Sequence, residues 1–207
     1  MNNPYQLYLV TDEKQDIATL CHVVDQAVKG GVSMVQIREK ETSFRHFLER
    51  AKAVKSVLEG SGVALIINDR VDIALAVDAD GVHLGQSDMP AHIARQLLGP
   101  DKILGLSVEN ERQLQQAQIL PVDYLGISAI FSTPTKTNTL KEWGITGLVN
   151  ALKQSDLPLV AIGGINAKNI QQIAMTKVQG IALVSAICHS NSPQQASKKL
   201  LALIKSV

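Results

Sequence analysis

The stretch Ala64-Leu65-Ile66-Ile67-Asn68-Asp69-Arg70-Val71-Asp72-Ile73-Ala74-Leu75-Ala76-Val77-Asp78-Ala79-Asp80-Gly81-Val82-His83-Leu84 reads as strand, helix and strand in one short span. Residues 64–68 and 81–84 are short apolar runs, and 71–77 reads as a brief helix between them. Two strands joined by a helix run parallel, through a right-handed crossover. The same alternation continues outward in both directions. Upstream, a strand at 5–10 leads into a helix at 17–29, where Ile17, Leu20, Val24, Ala27 and Val28 mark one face and Gly30-Gly31 ends it. Another strand at 34–38 leads into a helix at 43–58. Downstream, a helix at 90–98 closes the fourth pair, and strands at 103–108, 124–130, 159–162 and 181–186 precede helices at 109–119, 144–153, 167–176 and 193–204. Eight pairs in 207 residues leave about 26 residues per unit. Strict alternation implies an all-parallel sheet, and eight units favour an α/β fold closed as a single (β/α)8 TIM barrel over residues 1–207. No GxGxxG follows the first strand, which argues against an open dinucleotide-binding sheet.

Composition narrows the function. Hydrophobic residues make up 45% and charged residues 19% of the chain, as in ordinary globular proteins. Three Phe, three Tyr and one Trp leave Val, Ile, Leu and Ala to fill the barrel, and make a base-stacking platform for single-stranded nucleic acid improbable. The formal charge of +1 supplies no general field for nucleic acid or an anionic membrane, so any anion must be met by a local cluster. With no apolar run of membrane-spanning length and no leader pattern, a cytoplasmic location is expected. Cys21 and Cys188 have neither metal-ligand spacing nor a disulfide framework, and are read as inert.

In such a barrel the functional face lies at the C-terminal ends of the strands. Gln36, Arg38 and Lys40 share one face of the second strand by its period of two; if that face is the lumen, two cations need an anionic ligand to offset their desolvation. The alternative pairs Arg38 with a carboxylate such as Asp69 and leaves Lys40 in solvent. Asn68 and Asp69 end the third strand, and Asp88 follows the fourth. Each Asp reads equally well as a helix cap, but together they suit a hard cation completed by water and phosphate oxygens. His83 reads as a hydrogen-bonded packing residue and is assigned no chemistry. Ser107 is a ligand contact or a helix-start residue. The loop Phe131-Ser132-Thr133-Pro134-Thr135-Lys136-Thr137-Asn138-Thr139, with four threonines, a serine and a lysine, reads as an oxyanion-binding segment, with a solvated polar loop as the alternative. Gly163-Gly164 at the end of the seventh strand and Val184-Ser185 at the end of the eighth suit a phosphate cup. The rim therefore offers two anion sites, more than one phosphate-bearing substrate needs.

Along nearly the whole chain, Gln36-Ile37-Arg38-Glu39-Lys40, Asn68-Asp69-Arg70, Gly81-Val82-His83-Leu84-Gly85-Gln86-Ser87-Asp88, Thr133-Pro134-Thr135-Lys136, Ile162-Gly163-Gly164-Ile165 and Val184-Ser185-Ala186-Ile187 occur in an order that resembles the thiamine-phosphate synthase family. The resemblance implies a transferase of thiamine biosynthesis that joins hydroxymethylpyrimidine diphosphate to a thiazole phosphate, or its carboxylated form, with release of pyrophosphate. It implies that Gln36, Arg38, Lys40, Asn68, Ser107 and Lys136 hold the pyrimidine diphosphate, with Arg38, Lys40 and Lys136 stabilising the leaving group. It implies Mg²⁺ on Asp69 and Asp88. The thiazole phosphate is then expected against Thr133, Pro134 and Thr135, with its phosphate at Gly164, Val184 and Ser185. One departure stands out: many members carry Gly-Pro where this chain reads Ser128-Ala129, which bears on the backbone path at the end of the sixth strand but not on the cation at Lys136. A related thiazole tautomerase and a non-catalytic barrel for a phosphorylated ligand are the rivals. Both are disfavoured by retaining Asp69 with Asp88, and Lys136 with Arg38 and Lys40. Small-molecule substrates are expected as the partners, with no nucleic acid and no membrane; a homo-oligomer stays open. Residues 132–141 are expected to form a closing lid.

Overall fold

Eight parallel strands close on themselves in chain order in the computed structural model, which describes residues 3–133 and 142–207. They are β1 (Leu7–Val10), β2 (Met34–Ile37), β3 (Ala64–Asn68), β4 (Gly81–Leu84), β5 (Ile103–Val108), β6 (Tyr124–Ile127), β7 (Leu159–Ile162) and β8 (Gly180–Leu183). The intervening helices are α1 (Ile17–Lys29), α2 (Phe44–Leu58), α3 (Val71–Val77), α4 (Ala91–Leu98), α5 (Glu111–Ala117), α6 (Gly144–Gln154) and α7 (Ile170–Ala174); α8 (Ser185–Cys188) and α9 (Pro193–Lys205) follow the last strand. The architecture is the expected (β/α)8 barrel. Parallel pairing of β1 with β8, Leu7 opposite Ile181, completes the closure. Among the described residues no helix is long and apolar enough to cross a membrane.

Strand alternation divides the core in two. Leu7, Leu9, Val35, Ile37, Leu65, Ile67, Val82 and Leu84 face the helices in one large cluster. Tyr8, Val10, Met34, Ile66, Tyr124, Val160 and Ala182 fill the lumen. The period of two puts Gln36 and Asn68 on the lumen face with Met34 and Ile66, and His83 there between two outward neighbours. The lumen therefore departs from the aliphatic filling expected of an aromatic-poor chain. Two of the three tyrosines stand inside it, and Tyr5 packs against Tyr124 in a tilted arrangement with ring centroids 5.1 Å apart.

Local capping explains several boundaries. Asp16 accepts from Thr19 N–H at 2.7 Å to start α1, and Asn110 accepts from Gln113 N–H at 3.0 Å, which moves the start of α5 from the expected 109 to Glu111. The run expected as one strand over 181–186 is corrected. It is β8 followed by the single-turn helix α8, so Ser185 stands in a helix rather than at a strand end. A short apolar run carries no periodicity by which strand and helix can be told apart.

Candidate functional site

The C-terminal end of the barrel carries two adjoining cavities that share Ser128, Ile162, Ala182 and Val184 as a common wall. One, of about 80 Å³, is lined by Gln36, Arg38, Asn68, His83, Ser107 and Tyr124 among others. The second, of about 260 Å³, is lined by Ser132, Thr133, Gly163, Gly164, Asn166 and Ser185 beside the shared residues. Of the sequence-predicted residues, Gln36, Arg38, Asn68 and Ser107 line the first cavity, Thr133, Gly164 and Ser185 the second, and Val184 both; Lys40, Asp69 and Asp88 line neither and cluster beside the first, and Pro134, Thr135 and Lys136 lie outside the described residues, as does most of the expected lid.

The first group is built on side chains. Asp69 sits in a three-residue turn at φ +64°, closed by Arg70 N–H to Asn68 C=O at 2.8 Å and anchored by its own N–H to His83 C=O at 2.8 Å. A left-handed conformation is costly for a residue with a Cβ, and such outliers gather at functional sites. Asp69 does not cap α3, whose N-cap is Arg70 with no side-chain bond. Asp88 does not cap α4 either; its Oδ2 accepts from Gly85 N–H at 2.6 Å and closes the β4–α4 turn. Lys40 Nζ, not Arg38, pairs with Asp69. Burial raises the Asp69 carboxyl to about 6, the neighbouring Asp88 carboxylate pushes the same way, and Lys40 opposes them.

This donor set fits a hard divalent cation. Two neighbouring carboxylates, one held in a strained turn, match the sparing protein ligation of Mg²⁺, whose other ligands are water and phosphate oxygens. Among the described residues no third His, Cys, Asp or Glu joins them to make an all-protein cage.

Support for the cations comes from residues the sequence reading passed over. Glu39, between Arg38 and Lys40, turns away from the lumen and pairs with Arg50 of α2 at 2.8 Å, both side chains almost fully buried. Arg50 also donates through Nη1 to the Gln15 carbonyl at 2.5 Å, and Glu13 accepts from the Lys40 backbone N–H at 2.7 Å. These bonds tie the exit of β2 to the β1–α1 loop. Arg38 lines the first cavity, its backbone N–H on Thr11 Oγ1 at 3.2 Å, and makes no ion pair among the described residues. Asn68 Nδ2 is buried and has no partner among the described residues. His83, expected only to pack, lines the same cavity and reaches Tyr124 and Ser107.

The second group is built on backbone. Gly163 and Gly164 lie at φ +104° and +66°. A Cβ on Gly163 would meet Ala129 Cβ at 2.6 Å, and one on Gly164 would meet Ser132 O at 2.6 Å. The glycine pair therefore answers the packing of the β6 exit against the β7 exit as well as the approach of a ligand. Asn169 Nδ2 holds the Gly164 carbonyl at 2.9 Å. The path through Ser128-Ala129 includes a cis peptide bond; Ile130 N–H bonds Ile162 C=O at 3.0 Å, and Ala129 C=O accepts from Trp143 N–H at 2.9 Å.

Comparison with known proteins matches residues 7–187 to the thiamine monophosphate synthase family pattern. A thiamine-phosphate synthase of Vibrio parahaemolyticus is 66% identical over 98% of this chain and 99% of its own length. That of Albidiferax ferrireducens is 49% identical over 98% of this chain and 93% of its own length. Among solved structures, a thiamine phosphate pyrophosphorylase from Pyrococcus furiosus superposes with a TM-score of 0.89 at 33% identity, covering 99% of this chain and 97% of that one.

Proposed function

The chain belongs to the thiamine monophosphate synthase family, and from that premise we propose that the cavity carrying Arg38 receives hydroxymethylpyrimidine diphosphate and the cavity carrying Gly164 receives the thiazole phosphate. The activity is that of a thiamine-phosphate synthase, a transferase of thiamine biosynthesis. The relatives reported above are synthases, which leaves the tautomerase and sensor readings without support. The observation that carries the assignment is the common wall. Two cavities of opposite construction meet at Ser128, Ile162, Ala182 and Val184, so two phosphorylated halves placed in them face one another.

The reaction follows from this placement. The bond between the pyrimidine CH₂ and the diphosphate oxygen breaks, the electron pair leaves with pyrophosphate, and the positive charge spreads into the electron-rich aminopyrimidine. The thiazole nitrogen then forms the new C–N bond with its own lone pair. That nitrogen carries no proton, so no general base is required. Negative charge gathers on the departing diphosphate, where Arg38 and Lys40 act, together with Lys136. Mg²⁺ held by Asp69 and Asp88 would supply Lewis-acid stabilisation to the same oxygens. Asn68 Nδ2, buried and unpartnered among the described residues, offers a donor beside Arg38. Thr133, Pro134 and Thr135 are assigned to the thiazole, with Gly164, Val184 and Ser185 around its phosphate.

The test is pyrophosphate release from the two halves with and without Mg²⁺. Release that requires both halves and the metal is expected. Release from the pyrimidine half alone, or at full rate in excess chelator, would contradict the assignment.

A further inference from the structure

A file of hydrogen bonds crosses the floor of the first cavity. Gln36 Nε2 donates to the Tyr8 hydroxyl at 2.8 Å, the Tyr8 and Tyr124 hydroxyls meet at 2.9 Å, Tyr124 meets His83 Nδ1 at 2.9 Å, and His83 Nε2 meets Ser107 Oγ at 2.9 Å. Five strands contribute one residue each: β2, β1, β6, β4 and β5. Both ends of the file, Gln36 and Ser107, line the cavity. The contact between Tyr124 and His83 depends on glycine in β5, because a Cβ on Gly105 would stand 2.2 Å from Tyr124 Cζ and 2.5 Å from His83 Nδ1.

Such a file has a direction. Burial pushes both phenols above the ordinary tyrosine range, so each brings one proton. A phenol that accepts on one side donates on the other, and a neutral imidazole that accepts at Nδ1 donates at Nε2. Because a buried O–H left without an acceptor is costly, the orientation of one link favours one direction along the rest. With Gln36 donating to Tyr8, Tyr8 donates to Tyr124, Tyr124 to His83 Nδ1, and His83 Nε2–H to Ser107. Ser107 keeps its own proton to offer elsewhere, and Gln36 Oε1, which takes no donor among the described residues, offers an acceptor. Turning the Gln36 amide over reverses both ends together.

An aminopyrimidine presents an amino donor beside a ring-nitrogen acceptor, and its oxo counterpart presents a carbonyl acceptor beside an N–H donor. We propose that Gln36, Tyr8, Tyr124, His83 and Ser107 form a directional relay that holds His83 as the Nε2–H tautomer and makes the cavity select the amino over the oxo pyrimidine. Tyr8, Tyr124 and His83 are positioning residues in this scheme. It rests on the assignment of this cavity to the pyrimidine diphosphate and adds a specificity that the assignment alone does not contain. A site that reads hydrogen bonds at both ends rejects the inverted edge, since the buried Gln36 amide and the half-buried Ser107 hydroxyl are then left facing like groups.

Two measurements test it. Nitrogen-15 NMR of histidine-labelled, ligand-free protein, with His83→Asn used to assign the signal, should show His83 protonated at Nε2 and bare at Nδ1. Protonation at Nδ1, or at both nitrogens, at neutral pH overturns the relay. In the second, the oxo analogue of the pyrimidine diphosphate serves as a competitive inhibitor, and its inhibition constant is divided by the KM of the amino substrate. Tyr8→Phe, which cuts the file but keeps the ring, should shrink that ratio at least about tenfold while kcat changes less. Tyr5→Phe, outside the file, should leave it unchanged. A merely structural role moves both constants together, so an unchanged ratio in a folded Tyr8→Phe protein, or an equal fall in Tyr5→Phe, counts against the proposal. If Tyr8→Phe does not fold, the tautomer in the unaltered protein decides. No turnover of the amino substrate by the unaltered protein would sink the pyrimidine assignment itself, whereas turnover with the wrong tautomer sinks the relay alone.

Discussion

The half of the rim at β2, β3 and β4 and the half at β6, β7 and β8, each proposed to hold an anion, are built from different materials. The first uses side chains: Arg38 and Lys40 in the segment leaving β2, Asp69 and Asp88 in the turns after β3 and β4, and the buried Glu39–Arg50 pair behind them. The second uses main chain, in two glycines at positive φ and a one-turn helix. Charge carried by side chains is strong, adjustable and removable by one substitution. A backbone cradle cannot be deleted and can only be displaced. The division suits the proposed chemistry, because the diphosphate changes its charge during reaction while the thiazole phosphate is only held.

The comparison is broken most severely by removing the cation proposed for Asp69 and Asp88. Chelation should lower turnover about 10³-fold or more, with full recovery on adding Mg²⁺, because Lewis-acid stabilisation of a leaving group is worth several kcal/mol. Thermal stability should change little by comparison. Lys40→Ala comes next. Loss of a donor to developing charge should cost about 10²-fold in kcat, with the KM for the thiazole phosphate nearly unaltered. An effect on that KM as large as on kcat would mean that the two halves are not separate.

The same division governs what the sequence made legible. The period of two grouped Gln36 and Arg38 on one face, and both line the first cavity, whereas Lys40, past the end of β2, lines neither cavity; the paired glycines line the second. Both signals are local. The eight strand–helix units were legible for the same reason. Errors fell where local pattern is ambiguous, as at Val184-Ser185-Ala186, which folds into α8 rather than extending β8. What stayed hidden is long-range. Tyr8 and Tyr124 are separated by 116 residues and His83 and Tyr124 by 41, and no spacing rule reports that they meet. Glu39 and Arg50 lie only 11 apart, yet in Arg38-Glu39-Lys40 the acid looks like one more rim charge. Its turn away from the lumen follows from strand alternation, which was the available signal.

Gly164→Ala probes the backbone half with a smaller expected effect. The added Cβ would need to share space with the Ser132 carbonyl, now 2.6 Å from where it would sit, on a residue held at φ +66°. Overpacking and left-handed strain together should cost about 1–3 kcal/mol of stability. The KM for the thiazole phosphate should rise on the order of tenfold, while that for the pyrimidine diphosphate stays within about twofold. Equal rises in both would show that the cradle is shared.

The smallest effect separates the floors of the two cavities. Beneath the first lie the Tyr8 and Tyr124 phenols, whereas the wall running toward the second is Val160, Ile162 and Ala182. An unfolded tyrosine loses its proton near pH 10, and burial holds both lumen phenols protonated beyond that. Above about pH 10 the unfolded chain therefore binds fewer protons than the folded one, and stability falls as pH rises, by at most about 1.4 kcal/mol per pH unit for each phenol. Below about pH 9 neither contributes a slope. Urea unfolding followed between about pH 9 and 11 should show this loss, and Tyr8→Phe should remove roughly half of it. Phenolate absorbance from these two residues should appear only as the protein unfolds. Its appearance in folded protein would mean that water reaches the floor of the first cavity and that the phenols are not committed donors, which would weaken the directional file as well as the contrast between the two floors.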